Sequence, residues 1–108
     1  MHKGKIVLVP FPFTDLSGQK IRPCIVLWNS PKGEDCIVAF ISSKKDQHDS
    51  FSVKIKPSTT NGLKSDSVIK FDKMATLQKK IILGEIGILE SETLIAVDHK
   101  LKSIFKLK

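Results

Sequence analysis

The chain has 108 residues, 41% of them hydrophobic, and 18 Lys and Arg against 11 Asp and Glu give it a formal net charge of +7. That length suits one domain over residues 1–108 with a single core and no staples, and the charge favours a polyanionic partner. No apolar run approaches a membrane span or the central region of a signal peptide, and Cys24 and Cys36 lack metal-ligand spacing, so the sequence predicts a cytoplasmic protein with free thiols, no metal and no cofactor.

Ile6 to Val9 and Cys24 to Trp28 are continuous apolar runs of the length of buried strands. The polar loop between them carries Thr14, Asp15, Ser17, Gly18, Gln19 and Lys20 and ends in Arg22-Pro23. Proline at a strand's first residue costs the sheet no donor, so Pro23 is expected to open the second strand. That places Arg22, the only arginine in the chain, at the mouth of the sheet.

A turn cluster, Asn29 to Asp35, leads to a third strand, Cys36 to Ile41, which closes in Ser42-Ser43. After a polar loop with Lys44, Lys45 and His48, residues Phe51 to Lys56 alternate strictly. They predict an edge strand with Phe51, Val53 and Ile55 toward the core and Ser52, Lys54 and Lys56 toward water. Residues 57–63 are rich in turn formers, and Ser67 to Phe71, Ala75 to Leu77 and Ile81 to Leu89 supply further short strands, with Gly84 and Gly87 at bends or bulges. Ser91 suits the cap of a final helix, where Leu94, Val97, Leu101 and Ile104 recur on one face and Lys100, Lys102 and Lys106 suit the C-terminal end of the dipole. The order of elements predicts a mainly β protein with a C-terminal helix (α+β): a small, strongly curved antiparallel sheet or barrel with the helix packed on it.

The pattern Gly-x-Ile-x-x-Val-x-Phe from Gly4, followed after the polar loop by Arg-Pro-x-Ile-Val-Leu from Arg22, resembles the opening of the MazF/PemK family of toxin ribonucleases. Ile37 to Ile41 closing in Ser42-Ser43 looks like that family's second active-site strand. Asp66-Ser67-Val68-Ile69, then Thr76-Leu77 and Gly84-Glu85-Ile86-Gly87, follow in the family's order. The resemblance implies a barrel-like toxin fold that usually forms a homodimer, and a toxin endoribonuclease (mRNA interferase) that cuts single-stranded RNA without metal to leave a cyclic phosphate. It also implies a cognate acidic, partly disordered antitoxin lying over the basic cleft. Many members place an arginine just before the residue matching Thr76, where this chain has Met74-Ala75; Lys73 is the nearby substitute.

RNA cleavage of this kind needs the 2′-hydroxyl proton removed, the phosphoryl charge stabilised and the leaving 5′-oxygen protonated. Arg22 offers a planar fork for the scissile phosphate, and the resemblance gives it a share in the proton transfers. Ser42 would donate to the same phosphate, with Ser43 as the adjacent alternative. The expected RNA-facing rim comprises Phe11, Phe13, Thr14, Gln19 and Lys20, with Ser43, Lys44, His48 and Lys73 as further RNA-binding residues; the competing reading packs Phe11 and Phe13 at the sheet end or a dimer interface, and packing is the expectation for at least one of the two. A bland reading makes Arg22 a surface ion pair with Asp15 or Asp35, and His48 a solvated loop residue. Two rival functions remain at this point: a non-catalytic CcdB-like toxin that acts by binding protein, and a basic small-barrel RNA-binding module.

Overall fold

Residues that are consecutive on one strand are buried on opposite faces of one sheet, which is why the first strands read as unbroken apolar runs. The protein is described by a computed structural model over residues 1–11, 20–43 and 50–108. Its strands are β1 (Lys5–Phe11), β2 (Lys20–Asn29), β3 (Asp35–Ser42), β4 (Ser52–Ile55), β5 (Ser67–Gln78) and β6 (Gly84–Ile88), followed by helix α1 (Ser91–Ile104). They form a six-stranded sheet in the order β4-β5-β3-β2-β1-β6, every pairing antiparallel. On one face Ile6, Ile25, Ala39 and Ile69 join Val97 of the helix, and on the other Val7, Val9, Cys24, Val26, Cys36 and Val38 form a second buried cluster. Each Ile or Val among them contributes about 1.5–3 kcal/mol on removal from water.

The expected mainly β protein with a C-terminal helix is the observed one, a curled antiparallel half-barrel. Its ladders break register between Ile6 and Val7 toward β6, between Val26 and Trp28 toward β3, and between Ala39 and Phe40 toward β5. Such bulges increase the local twist and bend a sheet on itself. The helix uses its expected face: Val97 is fully buried, and Leu94, Leu101 and Ile104 pack on the same cluster.

Four local expectations need correction. The second strand starts at Lys20, not at Pro23, because the pairing with β1 runs on through Pro23 opposite Leu8 to Lys20 opposite Phe11. β3 pairs with this strand only from Cys24 onward, so the proline sits where its missing N–H is not needed on the β3 side. Ser67 to Phe71 and Ala75 to Leu77 belong to one strand, β5, interrupted by the register break opposite Ala39 and Phe40. β4 is an edge strand as expected, but Phe51 is 48% exposed and Ser52 2% exposed. Pairing with β5 begins at Ser52 opposite Lys70, so Phe51 lies in the preceding turn, outside the pleat that orders Val53 and Ile55. Finally, Glu90 rather than Ser91 occupies the helix N-cap, and its side chain makes no capping bond because it is engaged elsewhere.

Both cysteines are free and buried, and burial pushes the Cys24 thiol far above its ordinary range, so it is inert as a nucleophile. Among the described residues, no helix is long and apolar enough to cross a membrane.

Candidate functional site

The start of β2 projects from the body of the sheet with β1 alone beside it. There Arg22 pairs with Val9, and its side chain is exposed. Among the described residues the Arg22 side chain takes part in no ion pair, so Asp35 is not its partner; Asp15 lies outside the described residues. Arg22 lines a cleft of about 470 Å³. Leu8, Ile41 and Ile86 give the cleft apolar lining, while Arg22, Ser43, Lys64, Ser65 and Ser67 supply the polar groups. Among the described residues, no carboxylate lines it. A concave, mostly apolar space with a few convergent polar groups is the usual form of a ligand site, and here the charge selects an anion.

The two serines closing β3 part company. Ser42 is half-buried within the strand, opposite Val68, while the exposed Ser43 lines the cleft with Arg22. Lys20 is exposed two residues before Arg22, at the tip of the β1–β2 ladder, and does not line the cleft. Lys73 is exposed on β5 at the register break and is likewise absent from the lining. The backbone of Phe11 pairs with Lys20. Thr14, Gln19, Lys44 and His48 lie outside the described residues, as does the side chain of Phe11.

One wall of the cleft is a segment with no sequence motif for it: Gly62, Leu63, Lys64 and Ser65, between β4 and β5. Asn61, fully buried, builds this wall. Its Nδ2 donates to the Lys56 carbonyl at 2.8 Å, and its Oδ1 accepts from the Ser58 and Leu63 amides at 3.0 and 2.9 Å. The loop then lies flat on β6, where the Ile88 amide donates to the Thr60 carbonyl at 3.0 Å. Two glycines permit that approach. Gly62 has φ +72°, and a Cβ there would stand 2.1 Å from the Ile86 carbonyl oxygen. A Cβ on Gly87 would stand 2.4 Å from the Asn61 backbone.

Glu90, at the head of the helix, accepts hydrogen bonds from the Ser58 hydroxyl and, at 3.3 Å, from Asn61 Nδ2. These donors, the Ser58 hydroxyl foremost, hold its carboxyl below its ordinary pKa despite some desolvation. Among the described residues, no group of His, Cys, Asp or Glu is placed to hold a metal ion.

The architecture is that of small toxin structures. The fold matches the Mycobacterium tuberculosis toxin MazF-mt6 with a TM-score of 0.77 at 21% identity, over 96% of this chain and 98% of that one. It also matches an endoribonuclease in complex with its cognate antitoxin from Mycobacterial species, with a TM-score of 0.76 at 14% identity, over 100% and 95% of the two chains. A further endoribonuclease from Mycobacterial species gives 0.75 at 16% identity, over 99% and 92%. No curated protein sequence matches the chain significantly. The chain belongs to the family of PemK-like, MazF-like toxins of type II toxin–antitoxin systems, whose pattern it matches over residues 2–105.

Proposed function

We propose that this toxin is an endoribonuclease that cleaves single-stranded RNA without a metal ion and leaves a cyclic phosphate. The observation that carries the reading is Arg22, in no ion pair among the described residues, on the same cleft as Ser43 and with no carboxylate among the described lining residues. Family membership and solved toxins described as endoribonucleases support it.

In this mechanism the RNA's 2′-hydroxyl gives up its proton and its oxygen attacks the adjacent phosphorus, while the bond to the 5′-oxygen breaks and that oxygen takes up a proton, so the nucleophile comes from the substrate and the protons balance. Arg22 binds the scissile phosphate with two parallel N–H donors and offsets the charge that builds on it. Ser43 donates to the same phosphate; its place in the cleft favours it over Ser42. The apolar lining provided by Leu8, Ile41 and Ile86 lowers the local polarity and strengthens both contacts. Phe11, Thr14, Gln19 and Lys20, with Lys44 and His48, are the further RNA-binding residues of this proposal, and Lys73 is an outlying phosphate contact.

The partner is a cognate acidic, partly disordered antitoxin that competes with RNA for the cleft in the cytoplasm, consistent with the related toxin solved with its cognate antitoxin. The active species is a homodimer. Incubating the purified protein with RNA in the presence of a chelator tests the activity. Cleavage supports the nuclease, retention without cleavage would mean an RNA-binding module, and neither would mean a CcdB-like inhibitor.

A further inference from the structure

Lys64 lies in the wall of the cleft, and no sequence motif or family pattern above gives it a role. It shares the lining with Arg22 but comes from a different segment, the loop between β4 and β5. Among the described residues no ion pair engages it. Asp66, the nearest carboxylate in sequence, lines the neighbouring cavity with Lys54 and Lys56 and not the cleft. Lys64 therefore adds a positive charge to the cleft that no acid among the described lining residues offsets.

A lysine on an unrestrained loop would be ordinary surface charge. This one follows a backbone fixed at several points. Asn61 Oδ1 holds the Leu63 amide, the Gly62 amide donates to the Ser58 carbonyl at 2.9 Å, and Leu63 packs against the core. Gly62 and Gly87 let the segment lie against β6 without a gap. With its Cα already in place, Lys64 loses only side-chain freedom when it meets a ligand.

Arg22 with Ser43 is sufficient for one phosphate. We propose that Lys64 is a second phosphate-binding residue of the cleft, which holds the phosphodiester next to the scissile one. This assignment rests on the RNA reading above, and takes Asn61 as the residue that positions it. As a point charge, Lys64 tracks the backbone without reading sequence.

The test measures the affinity of wild type, Lys64→Gln and Lys64→Arg for a short single-stranded RNA whose phosphates are replaced one at a time by neutral methylphosphonate. Lys64→Gln should bind about tenfold more weakly, the lower end for a hydrogen bond to a charged group. Its logarithmic salt slope should fall by about 0.7, the share of one phosphate on a single strand. Lys64→Arg should bind like wild type. One methylphosphonate position should weaken the wild type and leave Lys64→Gln unaffected, a coupling that a merely structural role would not produce. Unchanged affinity in Lys64→Gln, or equal losses at every position in both proteins, would overturn the assignment. Cleavage of the same RNA by wild type and Arg22→Ala is scored separately: coupling without any cleavage would retain Lys64 as a phosphate ligand and overturn the nuclease.

Discussion

The Ser58 hydroxyl donates to the Glu90 carboxylate, tying the loop that walls the cleft to the N-cap of the helix. Since this contact lowers the pKa of Glu90, it stabilises the folded protein above the ordinary carboxyl pKa of 4.5, and that stabilisation is lost as the pH falls through the depressed folded value. Glu90→Gln should therefore melt below wild type at neutral pH, and the two melting temperatures should converge as the pH drops well below 4.5. Thermal melts of both proteins across that range check this. A constant difference would mean that the carboxylate charge does not hold the seam.

Arg22→Ala should abolish RNA cleavage while leaving the melting curve unchanged, because the side chain is exposed and unpaired among the described residues. Loss of a phosphate-stabilising donor costs on the order of a hundredfold or more in rate. Arg22→Lys should recover little, since a point charge cannot reproduce the planar fork. Near-normal cleavage by Arg22→Ala would remove Arg22 from the site.

Cleavage should survive chelation and yield cyclic phosphate ends, because the nucleophile is the RNA's own hydroxyl and the phosphoryl charge is met by Arg22. Mass analysis of the products in chelator reads both points. Activity lost in chelator and restored by magnesium would require a different mechanism.

Gly62→Ala should destabilise the protein by more than about 1 kcal/mol, since alanine is strained at positive φ and its Cβ would run into the Ile86 carbonyl. The denaturant midpoint should fall at unchanged slope. Near-identical midpoints would show that the loop can lift from β6 at little cost.

The proposed homodimer should appear in light scattering across a concentration series, and an acidic antitoxin-like peptide should displace RNA from it. A strict monomer at micromolar concentration would refute the dimer. RNA affinity that ignores added salt would refute the basic cleft as the RNA site.

Much of this protein was legible in its sequence because the signals were local. Ile6 to Val9 and Cys24 to Trp28 read as strands because burial on both faces, as of Ile6 with Val7 and Ile25 with Val26, leaves no polar alternation, and Leu94, Val97, Leu101 and Ile104 mark the helix face by spacing alone. Arg22-Pro23 and Ser42-Ser43 mark the two segments that supply Arg22 and Ser43 to one cleft, although Arg22-Pro23 lies inside β2 and not at its start. Tertiary structure decided the rest. The phase of β4 is set by pairing with β5, which leaves Phe51 outside the pleat. The cleft's second wall exists because residues 60–62 dock on β6 more than twenty positions later in the chain, a contact that relies on the missing side chains of Gly62 and Gly87. Local periodicity carries no record of such a contact, and so Lys64 emerged as a cleft residue only when the sheet had closed around it.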